Sequence, residues 1–140
     1  MYSMTCTFCE IVSGNLPARV VKETEHTLAF LDIDPIQKGH VLIIPKQHAY
    51  DLTAMTEIET NEVMAICKEV MISLRESYNP DSISILQSNG ECMDVPHVHF
   101  HVIPRFIGDG FGLIEPEISV SENEMNEIAR QLRVNMLQFS

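Results

Sequence analysis

Period-two alternation and β-branched content predict five strands: Val20 to Glu23, Thr27 to Asp32, Val41 to Pro45, Ser82 to Ser88 and His97 to Ile103. Between the third and fourth the period changes. From Glu57 to Ser77 the apolar residues Ile58, Val63, Ile66, Val70 and Leu74 recur at near-helical spacing, and the run closes at the breaker pair Asn79-Pro80. A second helix is expected from Ser121 to Met136, where Ser121-x-x-Glu124 fits a capping box and Met125, Ile128, Leu132 and Met136 form one stripe. Both stripes read most simply as core or subunit interface. Long strand-to-strand runs with one helical crossover predict an α+β fold with a mostly antiparallel sheet. With no linker, repeat or low-complexity segment, residues 1–140 are expected to form one domain, long enough for a single core.

Charge narrows the partners. A net charge of −11 argues against general binding to nucleic acid or anionic lipid, which draws on surplus Lys and Arg. A phosphorylated small molecule stays compatible, because a local pocket of His and backbone N–H groups works within an acidic protein. The N-terminal "MYSMTCTFCEIVSG" lacks a basic start and an apolar run long enough for a secretory signal, and no stretch approaches a membrane span. The expectation is a cytoplasmic protein, in which four cysteines serve as thiols or metal ligands rather than as a disulfide frame.

The candidate chemistry lies in "PHVHFHVIPR", residues 96–105. On a strand His97, His99 and His101 share one face, and Val98, Phe100 and Val102 the other. Three neighbouring imidazoles disfavour one another's protonation, and a neutral ring nitrogen is a nucleophile or a metal ligand. Nucleophilicity at one nitrogen improves when the other donates its proton to a fixed carbonyl. A lone strand histidine is usually structural; three in register with apolar partners shift the balance to function. Zinc binding by all three is a competing reading, since His-x-His pairs on a strand are good ligands.

The run His97-Val98-His99-Phe100-His101-Val102-Ile103 resembles the signature of the histidine triad family of nucleotide hydrolases and transferases. "CTFCEIVSGNLPARVV", "LAFLDIDPIQKGHVLIIPKQH" and "IPRFIGDGF" are similar, in that order, to segments of its bacterial branch, so the resemblance spans roughly residues 4–112. It implies a HIT-like fold: a five-stranded, mostly antiparallel sheet with a long helix and a C-terminal helix, paired as a homodimer. It also implies that His99 attacks the α-phosphorus of a nucleotide to form a nucleotidyl-histidine that water hydrolyses. His101 would touch phosphate oxygens or the leaving group, and His97 would hold the local geometry. Asp32 matches the ribose-binding acid, though on its own it reads as an exposed turn acid. Phe8, Phe30, Ile33 and Leu42 are the apolar candidates around the base. His40 matches the pattern too, with a structural hydrogen bond as its expected role.

The pattern breaks between the fourth and fifth strands. The family's Asn-x-Gly and Ala-Gly-Gln are replaced by "SNGECMDVPH", about two residues shorter. Asn89 and Gly90 match, but Ser88 stands where a phosphate-contacting Asn is expected, and Met93 or Asp94 where the Gln or its neighbour belongs. Ser88 Oγ is a partial substitute as donor, whereas Asp94 adds negative charge near the expected phosphate and predicts a modest rate.

Cys6-x-x-Cys9 alone is a weak signal, open to a redox pair or two unrelated thiols. The resemblance adds His48 and His97 as partners. It implies a closed Cys₂His₂ zinc site of structural type, held by Cys6, Cys9, His48 and His97, which leaves His99 free. The leading expectation is an enzyme that releases AMP or GMP from a phosphoramidate or a dinucleoside polyphosphate. The alternative is a zinc-stabilised nucleotide-binding or protein-interaction module with little turnover.

Overall fold

A computed structural model describes residues 6–91 and 93–140. Five strands, β1 (Val20–Glu23), β2 (Thr27–Leu31), β3 (Val41–Pro45), β4 (Ser82–Leu86) and β5 (Phe100–Arg105), form one sheet in the order β1-β2-β3-β5-β4. Every neighbouring pair is antiparallel. The helices are α1 (Thr7–Val12), α2 (Glu57–Tyr78) and α3 (Glu122–Met136). None of the described helices is long and apolar enough to cross a membrane.

Helix α2 starts at a capping box, with Thr56 Oγ1 accepting from Glu59 N–H and the Glu59 carboxylate accepting from Thr56 N–H. It ends where Asn79 adopts the left-handed conformation at φ 47°. Its Val63, Ile66, Cys67, Val70 and Leu74 are buried with Ala29, Val41, Ile43, Val98, Phe100 and Val102 in one core. The expected stripe is therefore core, apart from Ile58, which is exposed. The opposite face of the sheet carries Leu28, Phe30, Leu42 and Ile44 against Cys6 and Phe8. Antiparallel partners project to the same side, so the pairs Phe30–Leu42 and Leu42–His101 place an apolar row beside a histidine.

Four sequence expectations change. The fifth strand begins at Phe100, so His97 and His99 precede it. Pro96 has no N–H to give a ladder, His97 N–H turns to the Val95 carbonyl, and Val98 N–H donates to the Ala49 carbonyl across a loop. Strand β4 stops at Leu86 and β2 at Leu31. Helix α1 is an addition to the two predicted helices, because six residues are too few to show a helical period. Helix α3 has its capping box at Ser121 and Glu124, but Met125, Ile128, Leu132 and Met136 are all exposed, so within one chain this stripe is not core.

Gly39 turns the chain into β3 at φ +92°, and a Cβ there would stand 3.0 Å from both Leu74 Cδ2 and Tyr78 Cε2. Only glycine both adopts that conformation and lets the turn close on α2. This turn delivers His40 to the sheet.

Candidate functional site

The hydrogen-bond partners of the three histidines assign a different job to each ring nitrogen. His97 is fully buried, and its Nε2–H donates to the Pro45 carbonyl at 2.9 Å, leaving Nδ1 bare. Burial pushes its pKa down to about 4, against the smaller opposing effect of that carbonyl, so the ring stays neutral. His99 Nδ1–H donates to the His97 carbonyl at 2.7 Å, which leaves Nε2 bare in the neutral ring. The Phe8 ring packs edge-on against His99 with centroids 5.1 Å apart and fixes its plane.

His101 is set by a residue from another strand turn. Ile36 N–H donates to His40 Nδ1 at 3.1 Å, so the His40 proton is on Nε2, 2.9 Å from His101 Nδ1. His101 Nδ1 is then an acceptor, and its own proton points away on Nε2. Burial holds both His40 and His101 below the ordinary histidine range. Asp32 Oδ2 lies 3.5 Å from His40 Nε2. Asp32, His40 and His101 are close enough to suggest a metal cluster, but the chemistry opposes it. With Nδ1 already accepting from Ile36, His40 could bind a cation through Nε2 only as an imidazolate.

A cavity of about 720 Å³ opens beside these rings. Phe8, Phe30, Asp32, Ile33, Leu42, His99 and His101 line it together with Ile11, Leu16, Pro17, Ala18, Asp94 and Val95. Phe8, Phe30 and Leu42 form its buried wall, whereas Ile33 is 86% exposed and stands at the rim. Asp32 is less an exposed turn acid than the bare sequence suggests, since its side chain is only 17% exposed and its Oδ1 accepts from Asp34 N–H at 2.9 Å. Ser88 and Asn89 are not among the lining residues. Asn89 Oδ1 instead accepts from Leu52 N–H and Gln87 Nε2, which ties the loop after β4 to the turn before α2. Pro17, Ala18 and Val95 carry no polar group that a motif search would single out, and they join the wall only through the fold.

On the far side of His97 a second group assembles. Cys6, Cys9, His48 and His97 bring one ligand atom each to within 4.8 Å of all the others. Cys6 Sγ is 3.3 Å and Cys9 Sγ 3.5 Å from His97 Nδ1, and Cys9 Sγ is 3.2 Å from His48 Nδ1. A tetrahedron with bonds of about 2.3 Å to sulfur and about 2.0 Å to nitrogen has edges of about 3.5 Å, so these three separations match a zinc site. The thiols want a cation as well. Burial, then the hydrogen bond and charge of Cys6, push the Cys9 thiol up to about 12, so two thiolates can coexist here only around a positive charge. The bare, neutral Nδ1 of His97 is already in ligand form.

A sequence profile of the HIT domain matches residues 13–108. The chain belongs to the HIT family. The adenosine 5'-monophosphoramidase hnt1 of Schizosaccharomyces pombe is 35% identical over 132 residues, covering 92% of this chain and 96% of that protein. The crystal structure of a HIT family protein from Bacillus anthracis superimposes with a TM-score of 0.87 at 32% identity, covering 94% and 96% of the two chains. A Zn-bound histidine triad family protein from Mycobacterium smegmatis gives a TM-score of 0.73 at 34% identity, covering 95% and 99%. The α+β HIT fold expected from the sequence, with its five-stranded antiparallel sheet, is thus the fold of the chain.

Proposed function

We propose that this HIT protein hydrolyses a purine nucleoside phosphoramidate, releasing AMP or GMP through a covalent nucleotidyl-histidine. The observation that carries the reading is the His99 Nδ1–H bond to the His97 carbonyl at 2.7 Å, which turns a bare Nε2 toward a cavity with an apolar, nucleoside-sized wall. Phe8, Phe30, Ile33 and Leu42 take the base, and Asp32 accepts the ribose hydroxyls. His99 Nε2 attacks the α-phosphorus, and the bond from phosphorus to the leaving nitrogen breaks. That nitrogen, protonated from solvent before it leaves, departs with the electron pair as the neutral amine, while His101 Nε2–H donates a hydrogen bond to the phosphoryl oxygens and His40 supports the ring from its other side. In the second step water attacks the same phosphorus, releases its proton to solvent and frees His99 with the electron pair. The hnt1 phosphoramidase of S. pombe, at 35% identity over nearly the whole chain, supports the leaving-group chemistry.

In this reading zinc occupies Cys6, Cys9, His48 and His97 as a structural ion, supported by the donor geometry and by the Zn-bound relative. It pins the N-terminal segment to the chain before β5 and takes no part in the reaction. The chain also works as a homodimer, supported by the apolar residues left exposed on α2 and α3, among them Ile58, Ile72 and Met125. Light scattering should give twice the 15.9 kDa chain mass.

Intact-mass measurement after rapid mixing with adenosine phosphoramidate tests the reaction. A gain equal to one adenylate, absent in His99→Ala, is the expected result. His101→Ala should slow turnover and keep the adduct. Turnover by His99→Ala at the wild-type rate would sink the reading. A binding module with little turnover is the second reading, favoured by one contact: Asp94 Oδ1 lies 3.3 Å from His99 Nε2, in front of the attacking atom. Nucleotide binding without adduct or product would favour it.

A further inference from the structure

Asp94 is the acidic residue that the altered loop brings to the reacting end of the cavity. Its segment is tied on both sides, Met93 N–H donating to the Gly90 carbonyl at 3.2 Å and His97 N–H to the Val95 carbonyl at 2.8 Å. The carboxylate stands 3.3 Å from His99 Nε2, yet its side chain is 81% exposed. Such a group shifts outward at little cost when a phosphorus takes the space in front of Nε2, but it cannot leave the end of the cavity. Three carboxylates, Asp32, Asp34 and Asp94, line the cavity, and Arg19 is the only Lys or Arg among the described lining residues. The Arg19 carbonyl accepts from Leu31 N–H, next to Asp32, and none of the ion pairs among the described residues joins Arg19 to Asp94.

A nucleoside in the apolar end points its 5'-substituent toward Asp94. The α-phosphoryl oxygens are common to every substrate of the class, so Asp94 opposes all of them alike and discriminates only through the group attached beyond the phosphorus. We propose that Asp94 selects the leaving group by charge, favouring an amine that carries a positive charge and rejecting anionic leaving groups such as polyphosphate. This inference rests on the nucleotidyl-transfer reading for its catalytic arm. Two unit charges some 6 Å apart, at a dielectric between that of the protein surface and that of water, interact by on the order of tenfold in an equilibrium or rate ratio.

The test is a matched series of adenosine 5'-phosphoramidates made from 1,3-diaminopropane, propylamine and β-alanine, whose leaving amines carry a positive, a neutral and a negative end. For wild type, kcat/KM should fall in that order, by on the order of tenfold per step. Asp94→Asn keeps the shape and removes the charge, so it should flatten the series, and added salt should flatten the wild-type series in the same direction. A purely structural role for Asp94 would change all three substrates equally. Unchanged spacing of the series in Asp94→Asn would overturn the inference. A second arm measures binding of the intact series to His99→Ala and to the His99→Ala, Asp94→Asn double variant, where no turnover is required. If wild type forms no adduct, the reaction reading fails while this arm still decides the charge selection: a graded affinity that Asp94→Asn abolishes upholds it, and equal affinities refute it.

Discussion

His40 Nε2 and His101 Nδ1 meet at 2.9 Å, across 61 positions of sequence, and the contact fixes which nitrogen of His101 carries the proton. His40 itself is oriented by Ile36 N–H, so one backbone amide sets the tautomers of two rings. His40→Ala should leave the cavity wall intact but free His101 to adopt either tautomer. The expected loss is at least about tenfold in kcat, part of what one oriented donor to the charge developing in the transition state contributes, with KM little changed. Steady-state kinetics on adenosine phosphoramidate check this, and an unchanged kcat would remove His40 from the mechanism.

Metal content separates the two roles given to the rings. Cys9→Ser removes a ligand that faces both His48 and His97. Zinc per chain should fall from one toward zero, and the thermal midpoint should drop by several degrees, while the adduct still forms in the fraction that remains folded. Elemental analysis of protein purified without chelator is the measurement. Full zinc occupancy in Cys9→Ser would show that the four residues are not the ligand set.

Asp32 lines the cavity, and its Oδ1 also holds the turn at Asp34. Asp32→Ala should raise KM by roughly ten- to hundredfold with kcat nearly unchanged, because a ribose contact stabilises ground state and transition state alike. A large fall in kcat at unaltered KM would place Asp32 in the chemical step. Asp32→Asn, which keeps the turn, separates the lost charge from the lost fold.

Stability should depend on pH through the buried rings. Burial holds His40 and His101 below their ordinary pKa, so the unfolded chain takes up protons that the folded chain refuses. Stability is therefore full above about pH 6.5 and is lost as pH falls from there toward the lowered folded-state values. Urea unfolding at pH 8 and pH 5.5 should give the lower midpoint at pH 5.5. The gap should narrow in His40→Gln, and equal midpoints in wild type would contradict the assignment of neutral rings.

Local periodicity determined much of this protein from the sequence. The alternation through Phe100 to Ile103 sends Phe100 and Val102 into the core under α2, and the Glu57 to Ser77 stripe predicts that helix to within one residue. Parity along β2 likewise sets Phe30 on the face opposite Ala29, and the pairing with Leu42 carries that face to His101. The strand parities and the helix stripe are relations between residues one to four positions apart, which the backbone geometry of a strand or helix dictates; the pairing of the strands is not. The site required more. His97 finds the Pro45 carbonyl 52 positions away and Cys6 91 positions away, His101 finds His40, and Asn89 turns to Leu52 rather than to the cavity. A ring nitrogen has one proton to place, and where it goes is decided by whichever distant carbonyl, amide or thiol the packed sheet brings within hydrogen-bond reach. That choice, and with it the division among nucleophile, donor and ligand, exists only once the strands and loops have docked.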